Sequence, residues 1–367
     1  MSYKILGINL SHNSSVCVLE DGEVIFYLEE DRLSRKKYDD IPLELLIKVS
    51  SLFKIDEIAL SGLSGFYNKE YYLKSLYSLF KSLFFKIPIN KIYIKKHHNA
   101  HSLGAFYNSG FSKALSIIID GGGDWDEINN KKNFEGYETE SIQVLKYPLN
   151  IKEIYKSYIT NNLNNQTPKK FFSSLVSLSK TYEAVNIYLG FKWYEPGKTM
   201  GLSSYGKLNN NIPNLYINGK GNPKILNNNN LNGELKFFPI SKEWHRNFSK
   251  ITNFEKDLAY KVQQESQQAV GDLIEKGIKK TGLKQVCCSG GYFLNCVANY
   301  YLTKRFPDID FYFEPVANDA GTSIGAAKWV WYKRTQDKTI IPQKTLYYGP
   351  KYSKNHLLKR IKKYVDN

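Results

Sequence analysis

Three of the six histidines fall within five positions, His97, His98 and His101, in the stretch KKHHNAHSLGAFYNSGF (residues 95–111). His97 and His101 stand at i and i+4, which on a helix sets them one turn apart on a single face. A helix offers two imidazole nitrogens to one cation in that way. The alternative is a polar helix start with solvated histidines. His98 falls off the shared face and is expected behind its neighbours or in solvent. Asp120 closes the apolar run KALSIIID and is followed by Gly121, Gly122 and Gly123, whose bare backbone lets N–H groups approach a ligand closely. Asp319, in PVANDAGTSIG, lies between a strand and a helix start, where simple helix capping is the competing role. Joined, His97, His101, Asp120 and Asp319 make a two-imidazole, two-carboxylate set suited to iron(II), manganese or zinc. With a position left open, such a cation polarises a carbonyl or holds a phosphate.

A second group of residues fits a nucleotide. In CCSGGYFLNCVAN the Gly290–Gly291 turn joins a strand to a helix; a flat ligand can lie against such a turn, and Asn295 could hydrogen-bond to it. GKTMGLSSYG, which contains Gly201, reads as a glycine-punctuated loop lining a cleft. His12, in NLSHNSS, sits between the first two strands; its near-neutral pKa suits a general base, and a turn histidine without a role fits as well. His245 and His356 have no supporting context.

Elements to position these residues follow from periodicity. YKILGIN (3–9), SSVCVLE (14–20) and EVIFYLE (23–29) read as strands, with an Asp21–Gly22 hairpin turn between the last two. A helix over 43–53, a strand over 57–61, an amphipathic helix over 67–86 and a strand over 91–95 lead into the histidine helix. The Tyr72, Leu73, Leu76, Phe80, Leu83 and Phe84 stripe of the 67–86 helix is core. The grammar then restarts: a strand over 113–120, two short strands within 134–147, a long helix over 256–282 with Leu258, Val262, Ala269, Leu273 and Ile278 inside, and strands at 285–289 and 310–314. Helices start near Phe293 and span 320–333. Two similar starts predict a duplicated α/β core with a cleft between lobes, at whose edge ligands bind. The lobes are expected at 1–110 and 111–340, with 341–367 as a linker or tail.

Composition narrows the class. A chain of 367 residues exceeds one compact core. The asparagine-rich tracts at 161–170 and 227–230 read as surface loops. The 51 Lys and Arg against 35 Asp and Glu give a charge of +16, which attracts phosphates and nucleic acid. The lysines are scattered, with enrichment at 74–96 and 351–363, so solvated faces or a basic rim account for them. Four cysteines form no C-x-x-C pair. No signal-like N-terminus and no long apolar run appear, so a cytoplasmic protein with no membrane span is expected.

Taken together, GINLSHNSSVCVLEDGEVIFYLEEDRLSRKK, HHNAHSLGAFYNSGF, IIIDGGGD, LSKTYEAVNIYLGF with EPGKTMGLSSYG, SGGYFLNCVAN and PVANDAGTSIGAA resemble, in order, the N-terminal portion of the NodU and tobramycin-type O-carbamoyltransferases; YYGPKYS (347–353) resembles the segment that follows. The resemblance implies a bilobal actin-like ATPase (ASKHA) fold, α/β, built from two ribonuclease H-like halves. It implies metal ligands at His97, His101, Asp120 and Asp319, with iron the usual ion. It implies an adenylate side of the pocket at Gly290, Gly291 and Asn295, with Gly121, Gly122 and Gly201 as further nucleotide-binding positions and His12 as the catalytic base. The expected reaction moves a carbamoyl group from ATP-derived carbamoyl-adenylate to a hydroxyl of a sugar-like, natural-product or nucleotide acceptor. Asn13 replaces the family's aspartate after His12, and Leu202-Ser203-Ser204 replaces Leu-Ala-Pro; both departures bear on acceptor identity. A YrdC-like activating domain, usual in the family, is not seen before Asn367, so a split or truncated enzyme with a separate YrdC-like subunit is expected. A homodimer and a nucleic-acid partner are the other associations considered. The rival functions are a tRNA- or DNA-carbamoylating or threonylcarbamoylating subunit, a small-molecule kinase of the same fold, and a silent binding subunit.

Overall fold

The run KILGIN is apolar on both faces, and a strand of that kind has to be covered on both sides. It forms β1 (Lys4–Asn9), and the computed structural model places it at the centre of the first sheet. The structure describes residues 2–62, 69–84, 87–128, 134–159, 177–222, 226–227, 234–235, 251–349 and 352–365. β2 (Ser15–Glu20) and β3 (Glu23–Glu29) pair antiparallel beside β1. Their turn has both Asp21 and Gly22 at positive φ, the backbone that an Asp-Gly hairpin supplies. Helices α1 (Asp31–Ser34) and α2 (Leu43–Leu52) follow, and β4 (Glu57–Ser61) adds in parallel on the other side of β1. After α3 (Lys69–Leu83), β5 (Ile92–Ile94) extends the sheet in parallel, giving the order β3-β2-β1-β4-β5. Leu45, Leu46 and Val49 of α2 and Leu76 and Phe80 of α3 bury one face of this sheet against Leu6, Ile8 and Val18.

The same plan recurs after the histidine helix, α4 (His97–Ser109). β6 (Lys113–Ile119) is central; β7 (Trp125–Ile128), β8 (Phe134–Lys146) and β9 (Asn150–Ile159) lie to its antiparallel side, where β8 pairs with β6 and both others pair with β8. β10 (Gln285–Ser289) and β11 (Asp310–Phe313) add in parallel on the other side. The order β11-β10-β6-β8-β7 repeats the arrangement of the first sheet, so the fold is the duplicated actin-like α/β architecture. Helices α5 (Leu178–Tyr188), α6 (Pro196–Ser203), α7 (Asn253–Thr281) and α8 (Cys296–Arg305) belong to this half. A reciprocal capping box of Thr252 and Glu255 starts α7, and Gly282 at positive φ ends it.

The helix after Asp319, α9 (Thr322–Thr335), packs Ile324, Ala326, Ala327 and Val330 on Ile5, Cys17, Leu19 and Ala59, the other face of the first sheet. It also crosses α4, whose Leu103, Phe106 and Tyr107 join Ala114, Leu145 and Cys287 of the second sheet. The two helices form a layer between the sheets. Their crossing has no room for a side chain: a methyl built on Gly325 would lie 1.9 Å from the Ala100 carbonyl oxygen.

Several expectations are corrected. The segment 134–147 is one strand of 13 residues, not two; irregular pairing with β9 between Glu138 and Glu140 and between Ile142 and Gln143 breaks its alternation. GKTMGLSSYG is not wholly a loop, because α6 runs from Pro196 to Ser203 with proline in its first turn. A 3-10 turn occupies Gly291–Leu294, so α8 begins at Cys296 rather than near Phe293. Lys354–Val365 in the expected tail is an exposed helix, α10. The tract 161–170, residues 228–230 and His245 lie outside the described residues. No described helix is long and apolar enough to cross a membrane.

Candidate metal centre and its cavity

The first turn of α4 begins without a side-chain cap from Lys96. Two carboxylates from the second half serve its N–H groups instead: Asp124 Oδ2 accepts from His97 N at 2.7 Å, and Glu138 Oε1 accepts from His98 N at 3.0 Å. Negative charge is also favourable at a helix start. This docking carries His97 and His101 to the end of β6, where Asp120 stands, and to the turn before α9, where Asp319 stands.

One donor atom from each of His97, His101, Asp120 and Asp319 lies within 4.8 Å of all the others, and all four residues are buried. His97 Nε2 is 3.1 Å from His101 Nε2, 3.3 Å from Asp120 Oδ2 and 3.4 Å from Asp319 Oδ1; His101 Nε2 is 3.6 Å from Asp319 Oδ1. Four ligands about 2.0–2.1 Å from one tetrahedral centre are about 3.3 Å apart. The donor set therefore fits a divalent cation in chemistry and in spacing. Its outer contacts orient it: Ser289 Oγ is 3.1 Å from His101 Nδ1, Gly291 N donates to Asp120 Oδ1 at 3.0 Å, and Ser11 Oγ donates to Asp319 Oδ2 at 2.9 Å. Asp319 makes no helix-capping side-chain bond; its carboxylate faces the imidazoles.

His98 is neither solvent-facing nor part of the donor set. It is fully buried, with Nδ1 2.7 Å from Ser141 Oγ, and burial pushes its pKa down to about 4. Glu138, beside it, is paired with Lys156 at 2.9 Å. His98 is thus a neutral brace under the first turn of α4.

Electrostatics at the centre set a pH dependence. Burial alone would lower the His97 pKa, but Asp319 and Asp120 carry it well above the usual imidazole value. Burial likewise opposes charge on both carboxyls, and His97 and His101 hold them below their usual range. In the cation-free chain His97 therefore adds stability below its ordinary value of 6.5, and loses that contribution as pH rises through its folded value. The aspartates add theirs above their ordinary value of 3.8 and lose it as pH falls. Ligation needs neutral imidazole, so cation affinity should climb about tenfold per pH unit until His97 has lost its proton. Calorimetric titration at pH 7 in buffers of different ionisation enthalpy should read about one proton released per cation bound; no release would contradict the arrangement.

A cavity of about 560 Å³ opens from Asp120 and Asp319. Gly121, Gly122, Gly291, Asn295 and His12 line it, as the sequence suggests. Gly290 and Gly201 do not. Gly290 adopts φ +98°, donates its N–H to the Ala317 carbonyl at 2.9 Å, and passes so close to Ile119 that any side chain would strike the Ile119 carbonyl oxygen; it positions Gly291 without lining the cavity. Gly201 lies on α6 with open space beside it. Asn295 spends its side chain internally, since Oδ1 accepts from Ala298 N at 3.0 Å and Nδ2 donates to Gln263 at 2.9 Å. His12 is 44 % exposed, with Nδ1 3.5 Å from Asp319 Oδ2. His356 is exposed on α10.

An aromatic rim at the cavity mouth escapes a reading by local spacing. Trp193 packs edge-on to His12 with centroids 5.5 Å apart, and Tyr38 lies 4.4 Å from Tyr194. Tyr38 holds φ +61°, a strained backbone for a bulky residue. The rings come from loops more than 150 positions apart, so only Tyr38's place after a basic turn and the WY pair at 193–194 could have hinted at it.

Comparisons with known proteins bear on the family and the fold. The family described as "Carbamoyltransferase N-terminus" matches residues 54–328. Nodulation protein NolNO of Sinorhizobium fredii is 24% identical over 92% of this chain and 49% of its own length. Nodulation protein NolO of Bradyrhizobium diazoefficiens is 26% identical over 69% of this chain and 41% of its own. The crystal structure of T. kodakarensis HypF superposes with a TM-score of 0.52 at 14% identity, covering 91% of this chain and 48% of that one, a likeness of fold. The chain spans 62% and 49% of the length of two of the curated relatives it matches.

Proposed function

Since the chain belongs to the carbamoyltransferase N-terminus family, we propose that its cavity transfers a carbamoyl group from carbamoyl-adenylate, made by a YrdC-like activating unit, to an acceptor hydroxyl. The observation that carries this is the junction of a four-donor cluster with His12 and an aromatic rim in one cavity of about 560 Å³, a size that accommodates small-molecule ligands. His97, His101, Asp120 and Asp319 would hold a divalent cation, iron(II) foremost, which when bound supplies a Lewis acid for developing negative charge. His12, half-exposed beside Asp319, takes the acceptor's hydroxyl proton. The acceptor oxygen forms a bond to the carbamoyl carbon, the carbon–oxygen bond to the adenylate phosphate breaks, and AMP leaves. Gly121 and Gly122 line the cavity, and their N–H groups would receive the departing phosphate.

Trp193 and Tyr38 would stack on a ring of the acceptor, because exposed aromatic faces bind ring faces. Trp193→Ala should raise the acceptor KM about tenfold and leave cation affinity unchanged; steady-state kinetics with and without the substitution check this, and an unchanged KM places the acceptor elsewhere. The +16 charge favours a second acceptor class, a nucleotide or nucleic-acid hydroxyl, which salt-dependent tRNA binding would reveal. The direct test supplies carbamoyl-adenylate with a panel of alcohols, sugars and nucleosides and follows the mass gain of one carbamoyl group. Transfer to an alcohol supports the proposal. Phosphate transfer from ATP alone would instead indicate a kinase.

A further inference from the structure

Lys180 stands in the first turn of α5, and that turn is anchored to the second sheet. Glu140 Oε1 accepts the Leu178 N–H at 2.7 Å, Ser177 Oγ accepts the Lys180 N–H at 3.0 Å, and Ser179 Oγ donates to the Asp120 carbonyl at 2.5 Å. The Lys180 ammonium donates to Glu183 Oε2 at 2.7 Å, with the two side chains only 16% and 13% exposed. An ammonium has three donors, so this bond fixes it and leaves two for a ligand. A methyl built on Gly121 would lie 3.9 Å from Lys180 Nζ and 4.0 Å from Glu183 Oε2. The ammonium therefore sits over the glycine that follows Asp120.

Three further facts bear on what it holds. Lys180 is the only lysine or arginine among the described residues that line the cavity. The cavity lining also includes Asp120, Asp319 and Glu183, so an entering anion is favoured by a cation fixed beside them. Gly121 and Gly122 line the cavity, and their N–H groups have no hydrogen-bond partner among the described residues.

We infer that Lys180, held by Glu183, forms a phosphate cradle with the N–H groups of Gly121 and Gly122, and that its occupant is the phosphate of a 5′-nucleotide. This rests on the carbamoyl-adenylate reading above and names the residue that gives the cavity its preference for a nucleotide over a nucleoside. Glu183 is a positioning residue, acting through the ammonium.

The test is equilibrium binding of AMP and of adenosine to the full chain in the presence of a chelator, so that cation–phosphate contacts do not contribute. A charge-assisted hydrogen bond predicts AMP binding about 10- to 100-fold tighter than adenosine. Lys180→Met should erase that advantage with adenosine affinity unchanged, and Lys180→Arg should restore part of it. In the unaltered chain, which needs no variant to fold, inorganic phosphate should displace AMP and not adenosine. A Lys180→Met chain that keeps the AMP advantage overturns the inference, as does phosphate that leaves AMP binding unaffected. Carbamoyl transfer by a chain with no AMP advantage overturns this assignment alone. An AMP advantage that depends on Lys180, in a chain that transfers nothing, counts against the carbamoyl-transfer proposal alone.

Discussion

Replacing His97 with alanine should abolish cation binding and carbamoyl transfer together. His97 Nε2 is the donor with neighbours on every side: the other imidazole at 3.1 Å and the carboxylates at 3.3 and 3.4 Å. Without it, His101 alone faces Asp120 and Asp319, and like charges are left close together in a buried space. Removal of residues that merely orient metal ligands costs about 10- to 100-fold in affinity, so loss of a central ligand should cost at least about 100-fold. The fold should persist, because α4 is held by the N–H contacts to Asp124 and Glu138, which the substitution leaves in place. Metal analysis, far-ultraviolet circular dichroism and the transfer assay on one preparation read all three. Full transfer activity in cation-free protein would refute the role given to the cluster.

A single methyl outside the cavity lining should have a comparably large effect. Gly325→Ala places its Cβ 1.9 Å from the Ala100 carbonyl oxygen and 2.8 Å from Gly104 N. Both obstacles are backbone, so no side chain can swing away and the helices themselves must part. α4 carries His97 and His101, and α9 begins just after Asp319. Separating them draws the imidazoles from one of their carboxylates. Overpacking of this kind costs about 1–3 kcal/mol or more, which should lower the thermal midpoint by at least about 2–4 °C and weaken cation binding at once. Thermal unfolding paired with a cation titration checks the coupling. A variant with unchanged midpoint and affinity would show that the crossing does not position the centre.

Which parts were legible in the sequence depended on whether the signal was local. The i, i+4 spacing of His97 and His101 is a property of one helix, and Asp120 advertises its place by ending an apolar strand before three glycines. The repeated strand grammar disclosed the duplicated sheets for the same reason. The choice between a buried and a solvated His98 could not be made from sequence, because its partners, Ser141 and Glu138, stand about forty positions away on β8; helical phase says which face a side chain occupies and not what covers that face. α6 was hidden by Gly197 and Gly201, poor helix formers that packing overrides, although Pro196 marked its start. Asn295 looked free to bind a ligand, and only the fold reveals Gln263 and the α8 N-terminus as its partners. The rim of Tyr38, Trp193 and Tyr194 was illegible, being assembled from two distant loops.

Anomalous X-ray scattering at the iron edge, from crystals grown anaerobically with iron(II), tests the centre most directly. A single peak within bonding distance of His97 Nε2, His101 Nε2 and the carboxylates of Asp120 and Asp319 is the expected result. A peak elsewhere, or an ordered cluster with none, would contradict it.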